Sequence, residues 1–279
     1  ANLEITDRQE SIVGNCRENV VATLKKKLAL HGQEARVIGS WDRNTLTRYL
    51  VEGDVDLMVI LHHGKNQHWD TASGAAAALS AVKSILKDRY PNTEMVIDTN
   101  CVTMKLDQFK FDVVPAFANV AGYYTIPDTR RQAWIPTNPI KFQELVTQVN
   151  KVMSGDFVPL IKMMKGWNRE QGWPIRGFHL ECMMYHRYKS YTQSYTYNSM
   201  MKTLFDALPG YLLQPTYDPV TFDRVDGYLD SAGTRAAVVA KAKTAAAKAA
   251  EAYGDEEKYP SVAIREWKDL LGEFFPAYG

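Results

Sequence analysis

Residues 37–61 read VIGSWDRNTLTRYLVEGDVDLMVIL, and the fold turns on how this stretch is taken. Gly39-Ser40 predicts a turn, and a polar segment carrying Thr45 and Thr47 follows it. Asp54-Val55-Asp56 then heads an apolar run that ends at Leu61. The run is short and rich in Val, Ile, Leu and Met, which predicts a buried strand. Residues i and i+2 of a strand share a face, with Cα atoms roughly 6–7 Å apart. Asp54 and Asp56 therefore project side by side. Two carboxylates at the mouth of a buried strand are costly unless positive charge neutralises them. A pair of divalent cations answers that need, since hard ions such as Mg²⁺ take carboxylate oxygens and substrate phosphates together.

Upstream, apolar positions Ile12, Val13, Val20, Val21, Leu24 and Leu28 predict a helix across 9–31, and 36–39 a short strand. Downstream, 62–70 reads as a loop. From Thr71, a candidate N-cap, an Ala-rich helix carries Leu79, Val82, Ile85 and Leu86 to Tyr90-Pro91. Two strands follow, over 94–104 and 108–114. In the second, Phe109, Phe111 and Val113 form one face and Lys110, Asp112 and Val114 the other. Asp112 is a carboxylate in the middle of an apolar strand, the natural third member of a set with Asp54 and Asp56. The pattern predicts a small mixed sheet with helices on one side.

Residues 115–139 are punctuated by Gly, Pro and Asn and predict connecting loops with little regular structure. Beyond Pro139 the chain turns helical, with candidate helices over 140–154, 157–170, 175–188, 197–207, 231–253 and 261–275. The expected division is residues 1–138 and residues 139–279. The Ala/Lys run 235–252 predicts a close-packed helix with a solvated lysine face.

With 279 residues the chain can bury one large core or two packed ones. A net charge of +1 argues against a protein that grips long nucleic acid electrostatically. The three cysteines, Cys16, Cys101 and Cys182, are scattered, with no disulfide framework or CxxC zinc site, and fit a reducing compartment. No window approaches a membrane span, which leaves a cytoplasmic setting as the expectation and a membrane role excluded.

Nucleotidyl transfer asks for these parts. Asp54 and Asp56 would bind two ions, Mg²⁺ or Mn²⁺, and Asp112 would complete the site of the one that activates the attacking hydroxyl. Turn amides at Gly39 and the Ser40 hydroxyl would hold terminal phosphate oxygens. Positioning and charge stabilisation would carry the rate.

Residue by residue, the chain resembles the DNA polymerase β-like nucleotidyltransferases. Within them it is most similar to the bacterial CD-NTases, relatives of cyclic GMP-AMP synthase and oligoadenylate synthase. Phe111-Asp112-Val113-Val114-Pro115 resembles that family's third-Asp strand, and Trp134-Ile135-Pro136-Thr137-Asn138-Pro139 its passage to the helical half. Residues 160–168, LIKMMKGWN, resemble the helix whose lysine meets the triphosphate. Phe178-His179-Leu180-Glu181 resembles the next helix, and Trp267 with Gly272-Glu273-Phe274-Phe275-Pro276 the C-terminal tail.

The resemblance implies an α+β enzyme, a polymerase β-like sheet lobe followed by an oligoadenylate-synthase-like helical lobe, with the active-site cleft between them. It implies a reaction that joins NTPs, ATP among them, into a short cyclic oligonucleotide, a second messenger of CBASS anti-phage defence acting on a downstream effector. An accessory or activating protein is an implied partner. Carried over by position, Lys165 contacts the donor triphosphate and Phe178 stacks on a base. Many relatives have Ser-Tyr where this chain has Gly177-Phe178, so the phosphate contact of that Ser hydroxyl is missing here.

Other candidates fare worse. His179, Cys182 and His186 share a helical face but lack a fourth zinc ligand. His179-Leu180-Glu181 echoes the HxE of zinc deaminases, yet no P-C-x-x-C follows. Tyr185, Tyr188, Tyr191, Tyr195 and Tyr197 read as lining a helix junction, and His62-His63 as plain loop. Two alternatives stay open: an RNA-tailing enzyme of the archaeal CCA-adding kind, whose turn GSxxRNT resembles equally well, and a catalytically idle nucleotide-binding scaffold.

Overall fold

A computed structural model describes residues 3–119, 122–192, 195–273 and 275, the side chains of Gln33 and Glu34 excepted. Phe274 and Pro276 of the expected tail motif lie outside the described residues.

The chain runs α1 (Asp7–Lys25), β1 (Leu30–Ile38), α2 (Gly39–Asp42), β2 (Asp54–Leu61), α3 (His63–Asn66) and α4 (Gly74–Arg89). Five strands follow: β3 (Glu94–Ile97), β4 (Val102–Lys105), β5 (Lys110–Ala118), β6 (Tyr124–Asp128) and β7 (Ala133–Thr137). The remainder is helical: α5 (Pro139–Val152), α6 (Phe157–Glu170), α7 (Gly177–Tyr188), α8 (Tyr197–Leu212), α9 (Ala232–Asp255) and α10 (Pro260–Leu271).

Seven strands form one mixed sheet in the order β1-β2-β5-β4-β3, with β6 joined to β5 and β7 to β6. Only β2 and β5 among these pairs run parallel. Period-2 alternation sorts their side chains. Val55, Leu57, Val59 and Leu61 of β2 join Phe111 and Val113 of β5 in a core with Val20 and Leu24 of α1 and Leu79, Val82 and Leu86 of α4. Met58, Ile60 and Ala116 pack on the opposite face with Tyr124. Asp54, Asp56 and Asp112 belong by alternation to that second face, away from α1 and α4. The helix α1 begins at a capping box in which Thr6 and Gln9 satisfy each other's backbone amides. At α4 the Thr71 hydroxyl accepts from the Gly74 amide at 3.0 Å, although the helix starts later than Thr71 suggested.

Two expectations of loop are corrected. Residues 115–139 hold the end of β5 and the β6–β7 hairpin, paired from Tyr124↔Thr137 to Asp128↔Ala133. The prolines that suggested loop sit where a strand tolerates them. Pro136 lies on the outer strand β7. Pro115 falls where pairing of β5 to β4 has ended at Val113 and pairing to β6 begins only at Phe117. A residue without an N–H gives up little there. The 62–70 loop contains α3 and a 3₁₀ turn at Gln67–Trp69, closed by Trp134 Nε1 donating to the Trp69 carbonyl at 2.7 Å.

The chain divides into two compact units. One spans Glu4–Gln143, and the other takes Glu144 onward together with Leu3. In the second, α8 and α10 both pack along α9 and α10 also meets α6. Gly166 permits the last contact, since a Cβ there would lie 2.9 Å from the Leu271 carbonyl oxygen. Trp167 and Phe205 meet edge to face in its core, and Tyr188 donates its buried hydroxyl to the Met200 carbonyl. Tyr191 stacks edge-on against both Tyr188 and Tyr195, so this part of the tyrosine cluster lines a helix junction. None of the described helices is long and apolar enough to cross a membrane.

Candidate active site

The parallel register sets Asp54 opposite Lys110 and Asp56 opposite Asp112. Directly opposed residues share a face with Cβ atoms about 5 Å apart. The two strands expected to share a sheet are direct neighbours, and their carboxylates share one patch. Antiparallel pairing on the far side of β5 sets Thr103 of β4 opposite Asp112. Asp56, Asp112 and Thr103 form a row across three adjacent strands.

The carboxylates differ in setting. Asp54 is exposed and its Oδ1 lies 3.4 Å from Lys110 Nζ, both side chains being about half in solvent. Such an ion pair is weak and easily exchanged. Asp56 is half-buried. Gly39, at φ +73°, brings its backbone so near that a Cβ would stand 2.0 Å from Asp56 Oδ2. Only glycine both takes that left-handed conformation cheaply and leaves room for the carboxylate. Asp112 is the most enclosed. Its Oδ1 is buried and has no hydrogen-bond partner among the described residues. Burial pushes its pKa up, the Thr103 hydroxyl opposes that by favouring the charged form, and the Asp54 charge adds to the rise.

Gly39-Ser40 opens the single-turn helix α2. The Ser40 carbonyl accepts from the Thr45 and Leu46 amides at 2.9 and 3.0 Å, which holds the segment in shape. Arg43 is buried in the same segment and lies over the Phe142 ring at 5.0 Å.

Lys165 and Phe178 belong to the other unit. Lys165 is only 5% exposed, and its Nζ donates to Glu181 Oε1 at 2.6 Å inside the α6–α7 contact. It is therefore no solvated surface lysine. Phe178 is 38% exposed in the first turn of α7, which sets it apart from a core aromatic. Gly177 leaves room beside the lysine, a Cβ there lying 4.0 Å from Lys165 Cε. Along the same helix His179 is buried between Tyr228 Oη at 2.9 Å and Thr216 Oγ1 at 3.0 Å, and His186 Nε2 pairs with the Tyr217 carbonyl at 2.8 Å.

Among the described residues no three His, Cys, Asp or Glu side chains stand ready-made as an ion cage. The donor set nevertheless suits a divalent cation. An enclosed carboxylate oxygen without a donor, a second carboxylate opposite it and a glycine cradle behind that one make a site short of positive charge. Sequence reasoning missed Thr103 and Cys101, which face this patch, and the role of Glu181. Polar residues at i and i+2 around buried Val102 were the available signal for the first two.

The mixed sheet thus presents three carboxylates on two adjacent strands, behind a glycine turn. Residues 1–150 match the Second Messenger Oligonucleotide or Dinucleotide Synthetase domain family. A cyclic AMP-AMP-AMP synthase of Acinetobacter sp. is 27% identical over 285 residues, covering 91% of this chain and 78% of that one. Among solved structures, the DncV cyclic AMP-GMP synthase of Vibrio cholerae, described as a prokaryotic cGAS homolog, matches with TM-score 0.75 at 13% identity. That match covers 99% of this chain and 93% of DncV. CdnC of E. coli MS115-1, solved with ATP, matches with TM-score 0.71 at 13% identity over 99% of this chain and 95% of its own. CdnC is also solved in complex with HORMA-deltaN. The chain belongs to the second messenger oligonucleotide or dinucleotide synthetases, the CD-NTases, and is a nucleotidyltransferase that makes oligonucleotide second messengers.

Proposed function

We propose that this enzyme joins nucleoside triphosphates, ATP among them, into a short cyclic oligonucleotide, with Asp54, Asp56 and Asp112 as its catalytic carboxylates. The observation that carries the reading is the register Asp56↔Asp112 on adjacent parallel strands, with Gly39 closed onto Asp56. The reaction forms a bond between a ribose hydroxyl oxygen and an α-phosphorus, breaks the bond to the bridging oxygen, and releases pyrophosphate and a proton. Two divalent ions, Mg²⁺ or Mn²⁺, held by Asp54, Asp56 and Asp112 would supply Lewis-acid charge at the attacking and leaving oxygens. Asp112, the most enclosed of the three, is assigned to the hydroxyl side. Gly39 and Ser40 are assigned to the terminal phosphates, where turn amides and a hydroxyl meet anionic oxygens.

Residues 1–138 are the catalytic lobe in this reading and 139–279 the helical lobe. Lys165 and Phe178 are its nucleotide contacts, a cation for phosphate and an aromatic ring for a base. The ATP-bound and HORMA-bound forms of CdnC support triphosphate substrates and an accessory protein partner. A cytoplasmic enzyme of CBASS anti-phage signalling, whose product acts on a separate effector, fits both.

The test is to incubate the protein with all four labelled NTPs and Mg²⁺ or Mn²⁺, add phosphatase, and resolve the products. A phosphatase-resistant product that vanishes in Asp56→Asn supports the reading. Label that appears only when tRNA is added supports a tailing enzyme instead. An Asp56→Asn protein as active as the parent removes the carboxylates from the chemistry.

A further inference from the structure

The nucleotidyl-transfer reading gives Asp112 a role but leaves open what aims its carboxylate. β5 has a neighbour on each side at this position, Asp56 of β2 and Thr103 of β4. Cross-strand residues in register share a face, so the Thr103 hydroxyl and the Asp56 carboxylate flank Asp112 from opposite sides. Cys101, two residues before Thr103, lies with its Sγ 3.6 Å from Thr103 Oγ1. The cysteine is buried and Thr103 half-buried. Two small donors thus stand on the β4 side of the carboxylate, and one carboxylate oxygen, Oδ1, is left enclosed without a donor.

A carboxylate on a strand rotates about its Cα–Cβ and Cβ–Cγ bonds, and a β-branched threonine on the next strand is the stiffest hydroxyl available to stop it. Anchoring one oxygen while the other stays bare is the arrangement by which an outer partner orients a metal-binding carboxylate.

We propose that Thr103 is a positioning residue of this nucleotidyltransferase: its hydroxyl, seated against Cys101, holds the Asp112 carboxylate so that Oδ1 faces a divalent cation. The proposal rests on Asp112 being a metal-binding carboxylate. Thr103 touches neither substrate nor ion, and its effect passes through Asp112 alone.

Thr103→Val keeps the β-branched shape and removes the hydroxyl, whereas Thr103→Ser keeps the hydroxyl and removes a methyl group. Loss of an outer partner of this kind weakens metal affinity by about 10-fold or more. Titration of the nucleotide-free protein with Mn²⁺, followed by electron paramagnetic resonance, should show that weakening in Thr103→Val. Product formation should need correspondingly more Mg²⁺ for half-activation, with kcat reduced and the KM for NTP within about twofold of the parent. Thr103→Ser should recover most of both. If Thr103→Val binds Mn²⁺ and turns over like the parent, the proposal is wrong. It is equally wrong if valine and serine are impaired alike and both lower the melting temperature, because packing then accounts for the loss. Asp112→Asn separates the two levels: full activity in that variant overturns the underlying reading. An inactive Asp112→Asn beside a fully competent Thr103→Val overturns the positioning role only.

Discussion

Gly39 and Asp56 are in contact to the limit of what backbone geometry allows. Replacing Gly39 by alanine puts a Cβ within 2.0 Å of Asp56 Oδ2 and forces a side chain into φ +73°. The left-handed conformation alone costs about 1–2 kcal/mol, and relief of the clash must displace the carboxylate. Gly39→Ala is therefore expected to lower the melting temperature modestly and to abolish product formation. Ser40 is a separable case, since its carbonyl rather than its hydroxyl holds the local chain. Ser40→Ala should leave the thermal transition in place and cost roughly tenfold or more in kcat/KM, as loss of a hydrogen bond to a charged group does at about 1.5–3 kcal/mol. Full activity in Ser40→Ala would remove the serine from phosphate binding.

The elements α6 and α7 are tied by polar contacts that their apolar patterns do not advertise. Lys165 and Glu181 are buried at 5% and 1% exposure and 2.6 Å apart. Removing one partner of a buried pair leaves an uncompensated charge and typically costs about 3–5 kcal/mol. Glu181→Ala should therefore destabilise the protein in urea more than Lys165→Met and Glu181→Leu combined, and additive losses would refute that coupling. His179 pins α7 to Thr216 and Tyr228 as a neutral ring. Burial pushes its pKa down to about 4, the Asp226 charge resisting and the Arg235 charge assisting.

The sign of the pH effect follows from that depression. Between about 6.5 and about 4 the unfolded imidazole takes a proton that the folded one refuses. The stabilisation is complete above the unfolded value and is lost as pH falls through that window, up to about 3 kcal/mol. Melting temperatures measured from pH 7 to 4.5 should fall, and His179→Gln should flatten the curve. A parallel curve in the variant would assign the slope to other groups. A second polar tie closes the neighbouring loop, where fully buried Asp226 accepts from both Arg224 and Arg235.

At the scale of the whole molecule, charge limits what the enzyme can bind. A net charge of +1 on 279 residues gives the enzyme no overall electrostatic pull on long nucleic acid. Proteins that hold nucleic acid through 6–10 phosphates lose about 10³–10⁵ in affinity between 50 and 200 mM salt. Oligonucleotide synthesis by this enzyme should proceed without added nucleic acid and change by less than about tenfold over that range. A requirement for tRNA or DNA, or a steep salt dependence, would contradict a reaction confined to free triphosphates.

Sequence periodicity by itself determined the ingredients. Val55 to Leu61 is a short apolar run that reads as a buried strand, so Asp54 and Asp56 had to share a face, and Phe111 and Val113 fixed the opposite face to Asp112. The helix Phe157–Glu170 was legible to the residue because its apolar stripe is broad and Ser154-Gly155 and Gly172 bracket it. Strands β6 and β7 were hidden because Pro127 and Pro136 mimic loop punctuation, and their pairing satisfies the backbone in a way no local pattern announces. Three decisions belonged to the tertiary structure alone. Which strands adjoin set Asp56 against Asp112, because register between residues 56 positions apart depends on packing rather than on local preference. Enclosure left Asp112 Oδ1 without a donor and placed Thr103 beside that carboxylate. Helix packing buried Lys165 against Glu181, a charge pair that only low exposure and a 2.6 Å separation reveal.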